Sequence, residues 1–463
     1  MAKTLDSSRM GEMHEGKLLL TMAVPMMLSM LVQALYNVVD SIYVSQVSED
    51  CLSALSLAFP AQNILIGLGA GTGVGVSALI SRSLGSGDRR RAAQVAGNAV
   101  FLSFCCAFLM ALFGIFFAES FVNTQTTDPS IRAYAVDYLR IVTIVSVFVY
   151  LEIIVERLLQ STGNTRYSMW TQMIGAVVNI ILDPFFIFGW LGLPAMGTAG
   201  AAIATVIGQA VGAFVGFVFH HRRNHEIAFG LRDLRPDWSI IREVYRIGFS
   251  SILMMGVSSV TNYLLNRILI AFTSTAVAVL GAYFKLQSFF FMPVFGLNNA
   301  MIPIVGYNFG ARKRERISRA YRFGVLFAFS LLSIGLLVFE LFPHLLLGMF
   351  KPSEQMLAIG IPALRIIAIS FPLASFCIVT ISLCQALGRA VSAFFVSVLR
   401  QLVALIPAAL LLSTTGRVVN VFWAYPIAEF VSVICCAFFL RAALRFLDRK
   451  LAEPQTELQA AQG

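Results

Sequence analysis

Apolar stretches of about 20 residues recur along the whole chain, separated by short clusters of Gly, Pro and charge. As a helix rising 1.5 Å per residue, a stretch of about 20 residues crosses the ~30 Å hydrocarbon layer of a bilayer. The pattern predicts twelve transmembrane helices at 18–44, 52–81, 92–117, 134–160, 167–190, 195–220, 241–270, 276–307, 317–347, 359–386, 391–413 and 418–445. Residues 1–17 are polar, and the first apolar run continues past Met30 without a cleavage site, so the first helix is expected to be retained.

Composition agrees with an all-α integral membrane protein. Hydrophobic residues make up 58% of the 463 and charged residues 13%, where a soluble domain carries about 25% charged. The seven cysteines have no CxxC spacing and mostly lie inside apolar runs. They read as small packing residues, not as a zinc site or a disulfide framework.

Charge sets the orientation. With a cytoplasmic N-terminus, the inside segments hold 27 Lys and Arg, while the outside loops hold only Arg132, Lys351 and Arg417. The positive-inside rule then predicts both termini in the cytoplasm. The net charge of +10 is accounted for by topology and attraction to anionic lipid, so no nucleic-acid partner is implied.

An internal repeat runs at an offset of 225 residues. "SLGSGDRRR" (83–91) aligns with "NFGARKRER" (308–316), matching Gly85 with Gly310, Arg89 with Arg314 and Arg91 with Arg316. Gln160 and Gly163 match Gln385 and Gly388; Phe59, Gln62 and Gly71 match Phe284, Gln287 and Gly296; Asn37 matches Asn262. Six helices per repeat put both halves into the membrane in the same direction, a parallel repeat of the kind found in alternating-access transporters. The predicted organisation is a cytoplasmic segment 1–17, six-helix lobes at 18–220 and 241–445, a cytoplasmic linker at 221–240 and a polar cytoplasmic tail at 446–463.

The repeat fails at two acids. Asp183 maps onto Ala408 and Asp40 onto Leu265, so these intramembrane carboxylates belong to the first half alone. Ionisable residues inside a span are costly and mark functional sites. Asn179 and Asp183 are i and i+4 on one helix face, and Pro184 leaves the carbonyl of Ile180 without its helical partner. Carboxylate, amide and carbonyl oxygens in that arrangement suit a hard monovalent cation or a protonated acid. Gln33, Asn37 and Asp40 form a polar stripe on the first helix, where Pro25 offers a place to bend.

At this point the chain resembles the multidrug and toxic-compound extrusion (MATE) transporters. The resemblance spans about 15–445 and rests on "AVPMMLSMLVQALYNVVDSIYVSQ" with "LSALSLAFP", "LISRSLGSGDRRRA", "LLQSTGNTRYSM", "VVNIILDPFFIFG" with "GTAGAAIATVIGQA", and "PIVGYNFGARKRERI". It implies two six-helix bundles and export of lipophilic, mostly cationic compounds in exchange for inward Na+ or H+, with no other cofactor. In prokaryotic members with a first-lobe acidic site, the cation residues fall here on Asp40, Asn179, Asp183 and Thr205. Asp40, Asn179 and Asp183 serve as metal ligands if the coupling ion is Na+. The second-lobe acids of other branches have no match: the seventh helix reads "VTNYLLNRILIAF", without a carboxylate.

Other residues receive expectations of their own. Gly67, Gly71 and Gly75 fit a close helix approach. Gln33, Asn37 and Glu152 are candidates along the substrate path, and Glu156 is expected to pair with Arg157 or Arg166. Lys285, Arg400 and Glu429 read as a buried second-lobe ionic network. No nucleophile–base pair or metal cluster points to an enzyme. The expected protein is a monomeric antiporter of a bacterial or archaeal cytoplasmic membrane. The alternative is a flippase for a lipid-linked oligosaccharide, which Arg267, Lys285 and Arg400 would serve by binding pyrophosphate.

Overall fold

The computed structural model describes residues 7–230, 232–350 and 352–452. Lys3, Lys351 and the tail beyond 452, all used in the topology above, lie outside them. The described residues are helical, without strands. Among the described residues, ten helices are each long and apolar enough to cross a membrane, and two bent pairs satisfy the same test jointly.

In the first half the main helices are α1 (Glu15–Val47), α2 (Glu49–Gly85), α3 (Arg89–Phe116), α4 (Pro129–Ile144), α5 (Val147–Ser161), α6 (Thr165–Phe188) and α7 (Thr198–Arg223). The second half has α8 (Trp238–Ile270), α9 (Ser274–Gly310), α10 (Arg314–Leu341), α11 (Glu354–Ala368), α12 (Ser370–Ala386), α13 (Ala390–Val398), α14 (Ile406–Ser413) and α15 (Ala424–Ala452). A π-helical segment, Leu399–Leu405, joins α13 to α14.

The fourth and tenth expected spans are each broken. α4 and α5 meet at 49°, and α11 and α12 at 45°. Hydroxyls compete for backbone acceptors at both breaks: Thr143 donates to the Leu139 carbonyl at 2.6 Å and Ser370 to that of Ile367 at 2.6 Å. Such back-bonding bends helices. Apolar runs remain continuous across both breaks, so hydropathy alone cannot locate them.

Helix boundaries follow the 225-residue offset closely. α2 and α9 begin at Glu49 and Ser274, and their N-caps are Ser48 and Thr273. Asp128 and Ser353 cap α4 and α11 in the same way, each side chain accepting from backbone N–H groups of the first turn. Gly163 and Gly388 both adopt positive φ. At the next such pair, the first half has Gly87 and the second has Arg312, with φ of 82° and 58°. The repeat therefore keeps the turn geometry even where the residue suited to it is lost.

The chain forms two compact units, Met1–Arg9 with Val24–Ile252, and Met10–Ala23 with Leu253–Gly463. The start of α1 thus belongs to the second unit and the start of α8 to the first. Charge explains both memberships through the repeated arginine motif. In the first unit Arg91 pairs with Glu243 of α8 at 2.7 Å, with Arg82 at 3.7 Å. In the second unit Arg316 pairs with Glu15 of α1 at 3.3 Å, while Asn308 and Lys313 donate to the carbonyls of Met10 and Gly11.

Small residues set how closely helices pack in the first unit. A Cβ on Gly75 would stand 2.2 Å from the Val244 carbonyl oxygen, and one on Gly71 2.8 Å from that of Gly248. The expected glycine face on α2 is therefore where α8 lies against it. Packing of this kind matters because lipid supplies no hydrophobic drive for helices to associate. The core of the first unit gathers Ala58, Leu65, Met110, Leu139 and Tyr150 from four helices.

Candidate functional site

α6 and α7 approach each other through glycine. A Cβ on Gly208 would stand 2.7 Å from the Gly175 carbonyl oxygen and 3.0 Å from the Asn179 Cβ. That proximity brings the polar groups of the two helices together. The Asn179 amide Nδ2 donates to Asp183 Oδ1 at 3.3 Å and to Thr205 Oγ1 at 3.4 Å. Its donor end is thus committed, and its oxygen is turned elsewhere.

What remains is a set of buried acceptors without donors. Asn179 Oδ1, Asp183 Oδ2 and Asp40 Oδ1 are all inaccessible to solvent and without hydrogen-bond partners, on residues 3%, 0% and 8% exposed. Buried oxygens normally find a donor, since leaving one unsatisfied costs about 1–3 kcal/mol, and more when it is charged. Neither aspartate forms an ion pair among the described residues. Three acceptors facing no donor suit a proton or a hard cation, which supplies what they lack. Among the described residues no three His, Cys, Asp or Glu side chains gather into a metal cluster. The oxygen set here is two carboxylates with an amide and a hydroxyl.

Three of these four residues border a cavity of about 440 Å³ within the first unit. Asp40, Asn179 and Thr205 line it, together with Gln33, Asn37 and Glu152. Three of the four predicted cation residues therefore share one cavity with the predicted path residues, and Asp183, outside the lining, is tied to them through its hydrogen bond from Asn179. The i, i+4, i+7 stripe of α1 forms one wall, and Gln172 donates across to Gln33 at 3.1 Å. None of the lining residues is Lys, Arg or His.

Two sequence expectations require correction. Glu156 makes no ion pair with Arg157 or Arg166; it lines the cavity instead. Arg157 donates to Gln160 at 3.0 Å, and Arg166 is exposed. The reason is helical geometry: Glu156 and Arg157, adjacent in sequence, leave the helix about 100° apart. In the second unit Arg400 and Glu429 do pair, at 3.2 Å. Lys285 is exposed and takes no part in that pair, so the expected network of three is a pair.

Several further cavity residues extend polar helix faces that are visible in the sequence. Gln172 lies at i−7 from Asn179, and Gln209 at i+4 from Thr205, so each extends a polar face already noted. Tyr138 is different. It accepts from Gln62 Nε2 at 2.6 Å, a contact between residues 76 apart that no local pattern contains.

Comparison with known proteins places this geometry in a family. The model of the MatE family matches residues 25–185 and 247–410, two stretches whose last residues lie 225 apart, the offset of the internal repeat, and whose first residues lie 222 apart. Among curated proteins, the chain is 24% identical over 399 residues to the multidrug export protein MepA of Staphylococcus haemolyticus (strain JCSC1435), covering 86% of this chain and 87% of that protein. It is also 24% identical over 399 residues to the FAD transporter of Shewanella oneidensis (strain ATCC 700550 / JCM 31522 / CIP 106686 / LMG 19005 / NCIMB 14063 / MR-1), covering 86% and 88%. Among solved structures, an outward-facing multidrug-resistance MATE transporter of the MOP superfamily superposes with a TM-score of 0.90 at 25% identity, covering 97% of this chain and 99% of that one. A MOP superfamily transporter from Pyrococcus furiosus Vc1 (DSM3638), described by the reverse polarity of its binding pocket, superposes with a TM-score of 0.90 at 25% identity over 96% and 99%. With its repeat, its twelve candidate spans and both halves matched by the family model, the chain belongs to the multidrug and toxic-compound extrusion (MATE) family of membrane transporters.

Proposed function

We propose that the protein is a secondary active antiporter that exports lipophilic cations in exchange for inward H+ or Na+. The observation that carries this reading is the set of three buried, donorless oxygens on Asp40, Asn179 and Asp183. Two carboxylates that are both ionised and unpaired in a buried site are costly. Binding of a positive charge removes that cost, so the conformations of the transporter are weighted by whether the site is filled.

Each residue has a part in that scheme. Asp183 and Asp40 supply the negative charge, and the Asn179 oxygen supplies a neutral acceptor beside them. Thr205 holds the Asn179 amide so that its oxygen stays turned toward the site. The expected sodium ligands Asp40, Asn179 and Asp183 and the expected proton acceptors are the same oxygens, and the coupling ion is a transported species.

The relatives support export but name different cargoes. MepA is a multidrug export protein and the Shewanella protein an FAD transporter. A flavin dinucleotide carries phosphate charge and calls for basic groups, as does the pyrophosphate of a lipid-linked sugar. The first-unit cavity offers carboxylates and no base, which favours cations over both. We place the protein in a bacterial or archaeal cytoplasmic membrane as a monomer with both termini cytoplasmic, the orientation that gathers its Lys and Arg inside.

The test uses everted membrane vesicles with proton and sodium gradients imposed separately. Ethidium transport is expected under at least one gradient, and Asp183→Asn is expected to lower it by about tenfold or more. Wild-type rates in the Asp183→Asn variant would remove the coupling role from this site.

A further inference from the structure

The oxygens on Asp40, Asn179 and Asp183 account for a coupling ion and leave a second pair of acids unexplained. Glu152 and Glu156 stand one helical turn apart on α5 and line the same cavity. Neither makes an ion pair among the described residues. A bare carboxylate inside a membrane span is expensive and persists where it meets a cation.

The fold has made room for one of them. Gly175 of α6 and Gly212 of α7 flank the Glu152 carboxylate. A Cβ on Gly212 would stand 2.2 Å from Glu152 Oε1, and one on Gly175 3.1 Å from it. The carboxylate therefore occupies a notch that side chains at these positions would fill. On α7, Gly208 faces Asn179 and Gly212 faces Glu152, four residues apart. Four residues of helix amount to about 6 Å along the axis, so Glu152 lies about one turn from Asn179 along the same helix pair, with Asp183 one turn further along α6. Asp40, buried and with one oxygen unpartnered, borders the cavity these groups share.

We propose that Glu152, seated in the Gly175–Gly212 notch, is the counter-ion for the positive charge of an organic cation substrate, distinct from the coupling-ion oxygens of Asp40, Asn179 and Asp183. The inference rests on the antiport reading above and deepens it. The substrate is a monovalent cation whose charge sits on or within apolar groups. Its charge meets Glu152, while its body contacts the apolar lining contributed by Leu55, Phe59 and Ile153. An H+ or Na+ bound at Asp40, Asn179 and Asp183 cancels negative charge near Glu152, so filling either position weakens binding at the other. That lost attraction is the physical source of exchange: ion and substrate compete through charge without sharing a ligand.

Binding to the purified full-length transporter tests the proposal, with tetraphenylphosphonium as the cation and triphenylphosphine oxide as a neutral probe of similar shape. Glu152→Gln is expected to weaken tetraphenylphosphonium about tenfold or more and to leave the neutral probe unchanged, which also reports that the variant is folded. Gly212→Ala keeps the charge but displaces the carboxylate, and is expected to weaken the cation in the same direction. Asp183→Asn carries the charge of the protonated site, so it is expected to lower tetraphenylphosphonium affinity to that of the ion-filled wild type and to lose further competition by H+ or Na+. Wild-type affinity in both Glu152→Gln and Gly212→Ala would overturn the assignment while leaving the antiport reading in place. A wild-type protein that binds neither probe would overturn the substrate class itself, and the inference with it.

Discussion

The two halves of this transporter share helix boundaries and caps but place opposite chemistry at equivalent positions. Gly175, which makes room for the Glu152 carboxylate, corresponds at the 225-residue offset to Arg400. Glu152 corresponds to Cys377, and Asp183 to Ala408. In the first half an acid stands in a glycine notch without a partner. In the second, a guanidinium occupies the matching position and is neutralised by Glu429 at 3.2 Å. One scaffold thus holds an acid without an ion pair on one side and a salt-bridged pair on the other, where Glu429 spends one oxygen on Arg400 and keeps Oε2 without a hydrogen-bond partner.

The sharpest way to break this contrast is to open the closed pair. Glu429→Gln leaves the half-buried Arg400, with its side chain 25% exposed, without its anion inside a membrane span, which costs about 3 kcal/mol. We expect a large fall in thermal unfolding temperature of the purified protein. Replacing both residues with apolar side chains of similar volume is expected to restore it. Glu152→Gln in the first half, by contrast, should leave unfolding nearly unchanged. If Glu429→Gln were as well tolerated as Glu152→Gln, the two halves would not differ as described.

A second comparison concerns the repeated arginines. Arg316 meets a Glu15 that is only 5% exposed and also donates to the carbonyls of Met10 and Met13. Arg91 meets a Glu243 that is 26% exposed and shared with Arg82. Arg316→Gln should therefore cost about 2–3 kcal/mol and Arg91→Gln about 1 kcal/mol or less. Hydrogen exchange at the start of α1 and of α8, measured in each variant, separates the two effects.

The smallest expected effect lies just before α8. Asp237 accepts from the hydroxyl and backbone N–H of Ser239, at 2.7 and 2.9 Å. The Ser239 hydroxyl bond is the main reason its carboxyl is held below the usual range. A lowered folded-state pKa contributes stability above the unfolded value near 4, and that contribution is lost as pH falls through the folded value. Asp237→Ala should cost about 1 kcal/mol or less at neutral pH, and the difference from wild type should shrink on acidification below about pH 4. Unfolding followed against pH checks the sign.

Much of the architecture was readable from residue order. Span number followed from runs of apolar residues, because a bilayer demands about 20 of them per crossing. The repeat was readable because turn glycines and caps answer to local backbone geometry, which recurs wherever the same turn recurs. Asn179 and Asp183 were readable as partners because four residues on a helix is one turn. The two broken spans were not, since hydroxyl back-bonding at Thr143 and Ser370 leaves hydropathy unchanged.

By itself, then, the sequence determined the class of protein, its repeat and the asymmetry of its acids. The tertiary structure alone decided which acids are free. Glu156 has an arginine beside it in the chain, yet faces a cavity without one. Glu152 gained its place from Gly175 and Gly212, which belong to two other helices. Partnership of charges depends on distances between helices, and those distances are set by the small residues that let α6 and α7 touch.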